Sequence, residues 1–86
     1  RLRDGKPLTY TILITNTSTT IDALNVAFTD NYTDANFTVG TVTSTVSGLT
    51  FNTATLGTIT SETNFTIAHS SSVTITVPGT VKYTAS

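Results

Sequence analysis

An all-β antiparallel sandwich of about seven to eight strands is the fold this sequence predicts, and three observations carry it. Apolar and polar residues alternate with period two in nearly every segment, as a half-buried strand requires. Straight-chain helix formers are scarce, with two Lys, one Glu and no Met or Gln. Polar turn clusters recur at Asn16–Thr20, Asp30–Asn36, Ser47-Gly48, Ser61–Asn64 and His69–Ser72, at the spacing of a sandwich. No window carries apolar residues at i, i+3, i+4 and i+7.

The elements follow in order. Leu8, Tyr10, Ile12 and Ile14 share one face of a first strand, and Thr9, Thr11 and Thr15 the other. Leu24, Val26 and Phe28 alternate with Asn25, Ala27 and Thr29 in a second. Phe37 and Val39 form a short piece ending at Gly40, and Val42 and Val46 a Thr-rich one closed by Ser47-Gly48. Leu49 with Phe51, Leu56–Ile59 with a bulge expected at Gly57, and Phe65 with Ile67 come next. Val73, Ile75, Val77, Val81 and Tyr83 share the last parity, interrupted by Pro78-Gly79. Proline donates no ladder hydrogen bond, so Val73–Ala85 is expected as an edge strand or as two strands changing sheets at Pro78-Gly79.

Eighty-six residues suffice for one domain, residues 1–86, and a chain this short buries a modest share of its surface. With no cysteine, no disulfide supports it. Only 10% of residues are charged, and threonine makes up roughly a quarter of the chain. Surfaces wetted by hydroxyls and amides suit extracellular fibres and repeat modules. A net charge of −1 without a basic block argues against nucleic acid and electrostatic membrane binding. No apolar run approaches the about 20 residues of a membrane span. The chain begins at Arg1 and reads as a processed or excised piece.

Several segments have a further likeness. Gly5, Tyr10-Thr11-Ile12 and Ile14-Thr15-Asn16-Thr17, then Asn25–Asp30, Leu56-Gly57-Thr58-Ile59 and Ser72–Val77, resemble the conserved repeat domain of bacterial and archaeal cell-surface proteins. That resemblance implies a secreted, immunoglobulin-like module repeated in adhesins, surface-layer proteins or extracellular fibres, and it carries no catalytic residue.

Candidate chemistry is sparse. His69, the single His, stands before Ser70, Ser71 and Ser72, but adjacent Ser and His are not a triad without an orienting acid, and a polar turn is the simpler reading. Asp30, Asn31, Asp34 and Asn36 group hard oxygen ligands that could take Ca²⁺, although the segment lacks the Gly and closing Glu of an EF-hand. The alternative is an Asx-rich turn, and no cofactor is otherwise expected. Asn16, Asn31, Asn36 and Asn64 lie in N-x-S/T sequons, where glycans would fit the turns. Lys6 and Lys82 could in principle form an amide link to a facing Asn or Asp, but Lys82 lies opposite the parity of Val81 and Tyr83 and is expected to face water. Tyr10, Tyr32 and Tyr83 could stack on a carbohydrate, yet Tyr10 and Tyr83 share the apolar parity and read as core with the hydroxyl at the rim.

The expected function is that of a non-enzymatic structural subunit of an extracellular filament, pilus or cell-surface repeat protein. Its partners would be copies of itself or neighbouring repeat domains. The alternative is a carbohydrate- or protein-binding adhesin module. Only Arg1 to Lys6 precede the Tyr10 strand, with Leu2 the single large apolar residue, so the first sheet is expected to lack an edge strand and to invite another chain. Val81, Tyr83 and Ala85 have the form of an amphipathic strand that could be lent to a neighbour's sheet, against the simpler reading that it closes its own domain.

Overall fold

A computed structural model describes residues 5–82. Of these, 51% lie in strands and none in a helix. The strands are β1 (Pro7–Thr15), β2 (Ala23–Val26), β3 (Thr29–Asn31), β4 (Phe37–Val39), β5 (Thr43–Ser44), β6 (Phe51–Asn52), β7 (Thr58–Ser61), β8 (Phe65–Ile67) and β9 (Ser72–Val81). All described pairings are antiparallel. The body is elongated, 52 × 24 × 19 Å. Among the described residues no helix is long and apolar enough to cross a membrane.

One layer is built around β9. β1 pairs along one side of it from Pro7↔Thr80 to Thr15↔Ser72, and β4 and β5 pair along the other. Gly40 donates to the Pro78 carbonyl at 2.8 Å in the register of β4, whereas Thr43 stands opposite Thr76 in that of β5. Thr41 and Val42 together therefore span the space opposite Val77, which is a one-residue bulge. In the second layer β2 pairs with β8, and β3 with β7, whose other side carries β6. Ser61 bridges the two ladders: its N–H donates to the Phe28 carbonyl at 3.0 Å and its Oγ accepts from the Phe28 N–H at 2.9 Å.

The alternation of β9 explains its central place. Val73, Ile75, Val77 and Val81 are buried on one face, with Ile75 and Val77 wholly so. Val73, Ile75 and Val77 meet Phe28, Ile59, Phe65 and Ile67 from the second layer in a single apolar cluster. Burying such side chains is the main term that holds a domain this small together.

Three sequence expectations change. β9 runs unbroken through Pro78-Gly79 as a central strand and does not switch sheets. Within a strand the N and C=O of one residue point to the same side, and the Pro78 carbonyl points to Gly40, beside the bulge. The missing donor thus falls where the ladder is already irregular. Leu24 does not share the inward face of Val26, because Asn25 adopts φ 56° and resets the alternation, leaving Ala23 and Val26 half-buried and Leu24 exposed. Asn is among the few L-residues that enter this left-handed region readily. Leu56 is likewise exposed, because Gly57 turns the chain at φ 87° and β7 starts only at Thr58.

In an immunoglobulin arrangement the last two strands are neighbours in one sheet. Here β9 pairs with β1, β4 and β5, while β8 lies in the other layer against β2.

Candidate functional site

The Asp30–Asn36 segment sits at the end of the sandwich where β1 begins and β9 ends. Its oxygens serve separate neighbours. Asp30 Oδ2 accepts the Tyr10 hydroxyl at 2.6 Å, and Asn31 Oδ1 accepts from Thr58 Oγ1 at 3.3 Å. Asp34 pairs with Lys82 Nζ at 3.5 Å, and the Asn36 backbone carbonyl accepts the Lys82 N–H at 2.9 Å. Among the described residues no group of three or more His, Cys, Asp or Glu side chains is placed to share an ion. The arrangement is that of a turn latched to β1 and β9. Lys82 reaches Asp34 from a half-exposed position, so the pair is an ordinary screened surface contact.

Behind this turn lies a concavity of about 690 Å³, walled by Leu8, Tyr10, Tyr32, Phe37 and Val81 with Asp30 on its polar side. Phe37 is its floor, with the Tyr10 ring 5.9 Å and the Tyr32 ring 6.2 Å away, the latter edge-on. Tyr10 is half-buried, with its hydroxyl on Asp30. Desolvation, then the hydrogen bond to the Asp30 carboxylate, pushes its phenol well above the ordinary tyrosine range. Tyr10 therefore keeps its proton near neutral pH, and its hydroxyl forms a fixed hydrogen bond along this wall.

At the opposite end, Asp22 and His69 tie the β1–β2 connection to the β8–β9 turn. Asp22 Oδ1 accepts the His69 backbone N–H at 2.9 Å and lies 2.8 Å from its Nδ1. The Ser70 and Ser71 hydroxyls bond to the Ser18 and His69 carbonyls, and Ser72 to Thr15. The imidazole thus has a carboxylate partner, while the serines are spent on loop geometry. The His69 backbone N–H, then its side chain, holds the Asp22 carboxyl below the usual carboxylate range. A depressed carboxyl stabilises the fold above its unfolded pKa of about 3.9, and that contribution fades as pH falls through the lower folded value. Asp22→Asn should therefore flatten the acid limb of the stability curve, measured as urea midpoints between about pH 2 and pH 6.

Asn16 is the anchor of the same end. Its Nδ2 donates to the Ile21 carbonyl at 2.9 Å and the Ile67 carbonyl at 3.0 Å, and its Oδ1 accepts from Ser18 N–H at 3.1 Å. Both amide hydrogens are committed, so a glycan there would displace a structural bond. Asn31, Asn36 and Asn64 are exposed. Asn16→Ala should cost about 2 kcal/mol, because the half-buried Ile67 carbonyl loses its donor. Asn16→Asp should do no better, since it removes both donors; thermal melts of the two variants check this.

The strand proposed for exchange is divided. Val81 is buried in β9, its N–H on the Lys6 carbonyl at 2.9 Å, while Tyr83 and Ala85 lie outside the described residues.

The open edge expected at the first sheet corresponds among the described residues to the free side of β1, although the sequence did not specify its length or register. Among the described residues the other outer strands are short: β2, β3, β4, β5, β6 and β8 have 4, 3, 3, 2, 2 and 3 residues. β1 has 9, with no charged residue, and pairs only on its β9 side among the described residues. The signal was present in the charge-free run Pro7–Thr15, but which strand is terminal in a sheet is not written in its own residues.

Compared with known proteins, the chain matches no family model, no curated protein and no solved structure.

Proposed function

We propose that this chain is a non-enzymatic structural module of an extracellular or cell-surface assembly, a β-sandwich repeat or fibre subunit that works by contact with copies of itself or neighbouring modules. The observation that carries this reading is the nine-residue uncharged edge of β1. Long flat edges are normally shortened, bulged or charged to stop association, and this one has none of those guards beyond Pro7 at its start. Low overall charge adds little repulsion between copies. Exposed sequons at Asn31, Asn36 and Asn64 fit a glycosylated surface.

The aromatic concavity favours a second reading, an adhesin module that takes a sugar or peptide against Tyr10, Tyr32 and Phe37. Negative-stain imaging and sedimentation of the whole chain, alongside a polysaccharide-binding screen, separate the two. Ordered oligomers or filaments support the structural module. Monodisperse monomers that bind a glycan, with binding lost in Tyr32→Ala, support the adhesin.

A further inference from the structure

We infer that β1 is a self-complementary edge, and that a second copy of this chain pairs with it antiparallel about a two-fold axis at Ile12. This rests on the structural-module reading and names its partner and register.

The direction of each backbone group decides the point. In β9 the Thr74 carbonyl accepts from Thr45 N–H at 3.1 Å, and the Pro78 carbonyl from Gly40 N–H. Thr74 and Pro78 therefore face β5 and β4, and their opposite numbers in β1, Leu13 and Thr9, are pairs without mutual hydrogen bonds. By alternation Thr9, Thr11, Leu13 and Thr15 all turn N–H and C=O away from β9. Asn16 N–H reaches the Ser71 carbonyl at 2.9 Å, which agrees with this phase. Four consecutive bonding positions thus lie on one open edge.

Only one two-fold antiparallel register uses all four. Thr9 then stands opposite Thr15 of the second copy, and Thr11 opposite Leu13. Each such pair exchanges two bonds, about eight in all. Moving the axis to Thr11 would set Thr15 against Pro7, which has no donor. The chosen register also places Ile12 against Ile12 and Tyr10 against Ile14 on the inward face, where all three are half-buried in the single copy. On the outward face Leu13, 67% exposed, gains a threonine neighbour. No charge of β1 opposes another across the axis. The result is a sheet continuous through both copies, with β9 of each one strand in from the joint. The interface is isologous and closes at two copies, so it joins chains side by side and leaves any end-to-end contact to other surfaces.

Sedimentation of the whole chain from micromolar to millimolar concentration tests this. A reversible monomer–dimer equilibrium is expected. Thr11→Pro removes only an outward N–H and should weaken dimerisation at least about tenfold with the β-sheet circular dichroism retained. If that variant does not fold, Leu13→Lys serves, since its exposed side chain sets two like charges diagonally across the axis. Thr38→Lys, at the exposed position of β4, should leave the dimer unchanged. Oxidising a mixture of Thr11→Cys and Leu13→Cys chains should yield mainly the mixed disulfide, because those positions face each other at about 5.5 Å between Cα atoms. A monomer at every concentration, or a dimer indifferent to Thr11→Pro and Leu13→Lys, overturns the inference; homodisulfides in excess overturn the register. Filaments that persist with both β1 variants would overturn β1 pairing while leaving the structural module standing. Glycan-binding monomers would remove the module reading itself.

Discussion

Gly79→Ala is expected to destabilise the domain by about 3 kcal/mol, at the upper end of overpacking effects. Gly79 stands on the inward parity of β9, between Val77 and Val81, where every other residue is a buried aliphatic. Its empty position is filled by Phe37. That residue pairs with Val81 and leans its ring over the glycine, so that an added Cβ would collide with the ring, 2.8 Å from Cε2 and closer to Cζ, and with the Thr38 carbonyl. The ring cannot swing aside freely, because it is also the contact surface for Tyr10 and Tyr32. Backbone dihedrals are not the issue, since Gly79 is not among the positive-φ glycines. For a domain of this size a loss of about 3 kcal/mol lowers the melting temperature by at least about 12 °C. Thermal melts would show it. The companion Gly79→Ala/Phe37→Leu variant, which removes the ring while leaving the Thr38 carbonyl in place, should melt above the value expected from adding the two single losses. Additive losses would mean that the Phe37 contact is not the cause.

Ile75→Ala should cost about 4 kcal/mol. Ile75 is wholly buried, pairs with Ile12 on β1, and has Ser44 of β5 on its other side. Its side chain faces the second layer, so truncation opens a cavity that rigid strands on three sides prevent from collapsing. Ile75→Val should cost about 1 kcal/mol, giving an internal scale for the site. Against a total stability of the order of 5 kcal/mol for a small domain, the alanine variant would retain about 1 kcal/mol and leave roughly one molecule in six unfolded without denaturant. Urea titration checks this, with the valine variant shifting its midpoint at unchanged slope. An alanine variant with a near-native midpoint would mean that the layers close over the gap, and that the core is looser than the contacts of Ile75 imply.

Much of this molecule was legible in its residues because a strand that buries one face must alternate. The parities of Tyr10, Ile12 and Ile14 in β1 and of Val73, Ile75 and Val77 in β9 correspond to inward positions in the structure. Phe28, Phe37 and Phe65, read as core, are buried, and Phe51 is half-buried against them. The turns near Asn16–Thr20, Ser47-Gly48 and Ser61–Asn64 lie between strands as expected. Where the alternation failed, a local backbone choice had reset it: Asn25 at φ 56° turned Leu24 outward, and Gly57 did the same to Leu56.

What the residues could not settle was neighbourhood. Pro78 seemed to forbid a central strand, and only the bulge opposite Val77 in another segment removed the need for its donor. Nothing local to Tyr10 and Asp30, or to Asp22 and His69, announced that they would meet, since their separations of 20 and 47 residues are bridged by sheet pairing alone. The extent and register of the free side of β1 belong to the same class, although the want of a preceding strand pointed to an open edge there. Composition determined that the strand is amphipathic and uncharged, but an edge is a strand with a missing neighbour, and strand order is decided by how all the others satisfy their hydrogen bonds and bury their inward faces together.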